Sequence, residues 1–116
     1  MPVRIGAAVF LGILLFLGGL LFLGGSAWTA QAPYMVSQKG RAFHPLTLNI
    51  KRGDTVRIVN DDGDLLHHAY VESDTFNFDS GDQLPGSKTD IVFSVPGTFN
   101  VLCGIHPKMK LVVIVK

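Results

Sequence analysis

The chain has 116 residues and a formal net charge of +1; 47% of its residues are hydrophobic and 16% charged. Once a terminal apolar segment is set aside, that length holds one small domain, which excludes two domains, a repeat array and a coiled coil. From residue 33 onward nine Lys/Arg face nine Asp/Glu, so there is neither a basic footprint for nucleic acid nor an acidic tail.

Residues 5–25 form an uncharged run of 21, and no acid or base lies between Arg4 and Lys39. As a helix, such a run spans roughly 30 Å, about one hydrocarbon core. It reads as an N-terminal membrane anchor or as a signal peptide, and either places the following domain outside the cytoplasm, in a periplasmic or comparable compartment. The length favours an uncleaved anchor, since the apolar part of a cleaved signal is usually about 7–15 residues. Small residues at Ala27, Ala30 and Ala32 keep cleavage open. The run is apolar on every face, which does not suit a helix of a small soluble core. The predicted organisation is therefore a signal peptide or anchor with linker over 1–32 and a domain over 33–116.

Beyond residue 33 the pattern changes to short β-type runs separated by turn residues. Residues 46–50 (LTLNI) alternate apolar and polar, and Lys51-Arg52-Gly53-Asp54 turns the chain into 55–59 (TVRIV). Shorter candidates follow at 68–71 and 76–78, and 73–89 reads as mostly loop. A run at 91–95 ends on Pro96-Gly97, a pair suited to the centre of a type II turn. Strands at 98–102 and 111–115 close the chain. Seven or eight short strands with no helical period predict an all-β, antiparallel sandwich preceded by one N-terminal hydrophobic helix.

Cys103 is the only cysteine, so no disulfide can staple this domain. A lone thiol in an exported domain is a liability unless it is buried, paired between chains or bound to metal. It opens the string Cys103-Gly104-Ile105-His106-Pro107-Lys108-Met109, set between two strong strands as a loop with its ends held close. Thiolate, imidazole and thioether at C-x2-H-x2-M spacing can converge on one centre, and soft sulfur with imidazole selects copper. A trigonal Cys and two His with a long axial Met is the blue-copper arrangement, and the further His must come from His67 or His68. Zinc is the main competitor, but thioether is a poor zinc ligand. The string Asp61-Asp62-Gly63-Asp64 fails as a calcium loop because Leu66 occupies the sixth position, where glycine is required, and it reads as a solvated turn.

These features resemble the cupredoxins, and within them the plastocyanin and amicyanin group of small blue copper proteins. The resemblance runs from about Phe43 to Lys116 and rests on Leu46-Thr47-Leu48, Gly53-Asp54-Thr55-Val56, Asn60-Asp61-Asp62, His67-His68-Ala69, Pro96-Gly97-Thr98-Phe99 and the loop from Cys103 to Met109. The short ligand loop looks like that of amicyanin. The resemblance implies a Greek-key sandwich holding one type 1 copper, with His67, Cys103 and His106 in the trigonal plane and Met109 as a weak axial ligand. His67 matches the family's upstream ligand, although His68 stands where that ligand is usually followed by Asn. His44 is expected on the surface.

The implied function is single-electron transfer between redox partner proteins by a monomeric domain. The edge of His106 would be the port, with Pro107, Leu65 and Leu66 around it and Lys108 and Lys110 at its flank. An enzyme is not expected, because copper oxidases and nitrite reductases need further copper centres and more than the four histidines present. The alternative is a copper protein for delivery, storage or sensing.

Overall fold

The computed structural model describes residues 31–116; the hydrophobic helix expected near the N-terminus lies outside them. Nine strands follow in order: β1 (Tyr34–Gln38), β2 (Phe43–His44), β3 (Thr47–Ile50), β4 (Thr55–Asn60), β5 (Ala69–Val71), β6 (Phe78–Asp79), β7 (Lys88–Val92), β8 (Gly97–Cys103) and β9 (Lys110–Val115). No helix occurs among the described residues, and thus none long and apolar enough to cross a membrane.

The strands form two sheets, ordered β2-β1-β4-β7 and β3-β9-β8-β5-β6. Alternation with period two decides which side chains meet between them. On β4 the buried positions are Val56, Ile58 and Asn60; on β8 they are Phe99, Val101 and Cys103; on β9 they are Leu111, Val113 and Val115. Phe93 is fully buried and stacks near both Phe76 and Phe99, with ring centroids 5.2 and 6.0 Å away. The two inner rows that begin in this core end on Asn60 and Cys103, so polar and sulfur chemistry replaces hydrocarbon at one end of the sandwich.

The structure departs from the expected architecture in several places. The sheets are mixed, because β1 pairs parallel with β4 and β3 parallel with β9. A parallel pair needs a long crossover, and here the chain between β1 and β4 supplies one by passing through the other sheet. The strand expected at 91–95 is β7, displaced to Lys88–Val92 by its antiparallel register on β4, Thr55 opposite Val92 and Val59 opposite Lys88. Pro96-Gly97 does not form the expected type II turn centre, where the second residue has φ of about 80°: Gly97 instead opens β8 opposite Val115 with φ 147°, and an added Cβ there would meet the Phe99 ring at 3.1 Å. The strands β1 and β2 carry too few residues of clear alternation to be expected from the sequence.

Truncating the central aromatic, Phe93→Ala, is expected to destabilise the domain by about 3–5 kcal/mol. Denaturant unfolding of the metal-free protein measures this.

Candidate metal centre

Register brings the candidate ligands together. Ala69 of β5 pairs with Cys103 of β8, so His67, two residues before Ala69, shares the inner face with Cys103. His67 is fully buried and Cys103 nearly so. From Cys103 the chain turns back through the loop into β9, where Leu102 pairs with Lys110. That closure carries His106 over the sulfur. The Cys103 Sγ lies 3.8 Å from Nδ1 of His67 and 3.7 Å from Nδ1 of His106. The three donor atoms all fall within 4.8 Å of one another, and they form the one such group among the described residues.

The spacing suits a shared metal ion. Metal–nitrogen and metal–sulfur bonds of about 2.0 and 2.3 Å, opened to about 120°, separate the donor atoms by about 3.7 Å. A single thiol proton can serve one imidazole only, whereas an ion can satisfy both Nδ1 lone pairs and the sulfur. Met109 is buried, its N–H donates to the His106 carbonyl at 3.0 Å, and it lines the same cavity as His106.

His67 is held from behind. Its Nε2–H donates to Asp62 Oδ2 at 2.7 Å, which turns the ring so that Nδ1 points toward Cys103. Its backbone exchanges hydrogen bonds with Gln83 at 3.1 and 2.7 Å. The buried Asn60 amide donates to the Leu65 and Gln83 carbonyls at 2.8 and 2.9 Å, and its Oδ1 accepts from the Asp62 N–H at 3.0 Å. Asp62 is thus not part of a solvated turn, as expected from its acidic neighbours, but a buried carboxylate joined to the ligand set. Its other oxygen accepts the Gly40 N–H at 3.0 Å. Burial pushes its carboxyl up, yet the Gly40 and His67 hydrogen bonds and the charges of His67 and Lys39 hold it below the usual carboxylate range. Nothing in its Asp-Asp-Gly-Asp surroundings distinguishes it in the sequence; the only cue is its place two residues after Asn60.

His68 faces the other way. Its Nε2 lies 2.6 Å from Asp79 Oδ1, its carbonyl accepts the Gly104 N–H at 2.9 Å, and its ring lies against Gly104. His44 is exposed and bonds the Lys39 carbonyl at 3.2 Å.

Around His106 lies a cavity of about 400 Å³ lined by Arg41, Ile105, His106, Pro107, Lys108 and Met109. Pro107 is where the sequence puts it, while Leu65 and Leu66 are half-buried elsewhere in the β4–β5 loop and do not line this cavity. Arg41 and Ile105 carry no signal in the sequence; Arg41 arrives from more than sixty positions upstream. Burial, then the charges of His67 and Arg41, lower the His106 pKa below 6.5, with Asp62 opposing.

No protein-family model matches the sequence, and neither does any curated protein. Solved structures do. A Cu-containing nitrite reductase from Thermus scotoductus SA-01 is 31% identical with a TM-score of 0.71, the match covering 79% of this chain and 24% of the reductase. A Cu(I) form of an amicyanin variant is 21% identical with a TM-score of 0.68, covering 76% of this chain and 86% of amicyanin. A reduced form of another amicyanin variant matches equally, at 21% and 0.68. The domain has the cupredoxin fold. Its His-Cys-His group fits a cupredoxin metal site, and these cupredoxin neighbours bind copper. His67, Cys103 and His106 accordingly form a group that fits a single copper ion. The chain spans about a quarter of the nitrite reductase it matches.

Two outcomes follow from this cupredoxin site. A Cβ on Gly104 would meet His68 Nδ1 at 2.9 Å, and Asp79 anchors that ring. Gly104→Ala should therefore cost about 1–3 kcal/mol, and adding His68→Ala should recover most of it in a double-mutant cycle read by denaturant unfolding. For His106 the folded pKa lies below the unfolded value, so the unfolded state binds more protons and stability rises with pH. The metal-free protein should lose stability as pH falls below about 6.5, and His106→Gln should flatten that fall.

Proposed function

We propose that this domain is a type 1 blue copper protein that carries single electrons between redox partner proteins outside the cytoplasm. The carrying observation is the convergence of two imidazole Nδ1 atoms on one buried thiol sulfur. Met109, buried in the cavity wall beside His106, is proposed as the weak axial ligand.

Copper held there would supply a one-electron couple between cupric and cuprous states. The chain's own residues do the rest. Cys103 gives up its proton on binding and serves as thiolate. His67, locked through Asp62 and Gln83, keeps its ring from turning. Half-buried His106 brings the ligand set to the surface, and the cavity beside it offers the short path along which a partner's centre could approach. Arg41 and Lys108 in that wall favour a partner with acidic groups around its own port.

A carrier is proposed rather than an enzyme. The nitrite reductase has roughly four times the length matched, and the described residues offer one metal-ligand group. A delivery, storage or sensing role would favour exposed ligands suited to transient cuprous binding, whereas His67, Cys103 and Met109 are buried. The extracytoplasmic setting rests on the apolar run at 5–25, as anchor or signal.

Loaded with cupric ion, the protein should show an intense thiolate-to-copper visible band and narrow copper hyperfine splitting in its EPR spectrum, and Cys103→Ala should abolish both. His106→Ala should open the site and slow electron self-exchange at least tenfold. A colourless loaded protein, or a His106→Ala variant with unchanged colour and rate, would overturn the proposal.

A further inference from the structure

We infer that Asp62 is a positioning and potential-setting residue: its carboxylate, bonded to Nε2–H of His67, favours the cupric over the cuprous state and holds the reduction potential down. This rests on the copper reading above. The two histidines of the site stand in unequal surroundings. His106 faces a cavity with Arg41 and Lys108 in its wall, whereas His67 is fully buried with a carboxylate at 2.7 Å. A negative charge hydrogen-bonded to Nε2, across the ring from Nδ1, makes Nδ1 a stronger donor and offsets the extra positive charge of the oxidised ion. Burial matters here, because a charge shielded from water acts more strongly on its neighbours than an exposed one.

The carboxylate is also fixed in place. Oδ2 takes the imidazole N–H, Oδ1 takes the Gly40 N–H at 3.0 Å, and the Asp62 N–H is tied to Asn60 Oδ1 at 3.0 Å. Asn60 is in turn bonded to Leu65 and Gln83. Asp62 therefore cannot swing away when the ion gains an electron, and its effect on the two states differs by a fixed electrostatic amount. The nearby positive groups, Lys39 toward Asp62 and Arg41 toward His106, act in the opposite sense.

Asp62→Asn keeps the shape, removes the charge, and can accept only one of the two hydrogen bonds. The control is Asp61→Asn, which changes the net charge equally one residue away, at an exposed carboxylate bonded to Ser37. The measurements are the visible spectrum and midpoint potential of full-length wild type and both variants. Removing such a partner typically weakens metal binding about 10–100-fold. Loss of cupric preference by about tenfold raises a one-electron potential by about 59 mV. The expected result is a blue Asp62→Asn protein with a potential raised by at least that much, and Asp61→Asn close to wild type. A blue Asp62→Asn protein at the wild-type potential, or an equal shift in both variants, would overturn the inference while leaving the copper reading intact. A wild type with no blue band would instead remove the copper reading, and the inference with it. Should Asp62→Asn fail to fold, the cuprous wild-type protein decides by NMR. A strongly deshielded, slowly exchanging His67 Nε2–H is expected, and a rapidly exchanging proton at an ordinary shift would overturn the inference.

Discussion

The metal centre rests on one register, the pairing of Ala69 with Cys103 between β5 and β8. Because side chains alternate along a strand, that pairing commits His67, Ala69 and Val71 to the interior and His68 and Tyr70 to the outer face. A slip of one residue would exchange the two histidines and turn the cysteine's neighbour into a surface ring paired with Asp79. The register is secured by bulk, not by the histidines. Val71 and Val101 fill the core on one side of the pair, and the six-residue ladder between β8 and β9 fixes the other. Apolar packing thus decides which imidazole reaches the sulfur.

Behind the ligands the fold gives up hydrocarbon for amides. Gln38, Asn60 and Gln83 are all buried, and Gln38 donates to Gln83 at 2.7 Å while Gln83 donates to Thr89 at 2.9 Å. Burying such groups is costly unless they are bonded, and of these three amides only Gln38 Oε1 lacks a partner, so the bonds that are made stiffen the segment. The β4–β5 loop has no regular structure of its own, yet its ends and middle are fastened by Asn60 and Gln83. For the carrier proposed here, that rigidity is the useful property: ligands that cannot relax between two charge states contribute little to the barrier for electron exchange.

The parts of this arrangement differ in how far the sequence reveals them. Cys103, His106 and Met109 fall within seven consecutive residues between two strongly apolar strands, so a single loop displays most of the donor chemistry. The strands β3, β4 and β8 are legible because their alternation is long enough to separate inner from outer positions, and β9 because Leu111 to Val115 is an unbroken apolar, mostly β-branched run. What is hidden depends on contacts between distant segments. Asp62 looks like its neighbours Asp61 and Asp64 until Gly40 and His67 close on it, and Arg41 carries no mark of the site at all. The displacement of β7 has a similar origin: Phe93 and Val95 are apolar enough to extend the strand, but the partner β4 runs out at Thr55.

The parallel pairing of β1 with β4, unexpected from the sequence, is what joins the hidden pieces to the centre. In register, Tyr34 lies beside Val56 and Gln38 beside Asn60, so both strands reach the metal end of the sandwich at their C-termini. Had β1 run antiparallel to β4, the chain would have left it at the opposite end. As built, it leaves β1 next to the β4–β5 loop and turns through Gly40 and Arg41, with φ values of 64° and 59°. The left-handed conformation costs on the order of 1 kcal/mol for a residue with a side chain, and the Gly40 N–H bond to Asp62 offsets it. That turn delivers Arg41 to the cavity wall beside His106. One carboxylate therefore ties the buried ligand His67 to the segment that shapes the exposed side of the site, and strand direction, more than any local motif, makes that connection available.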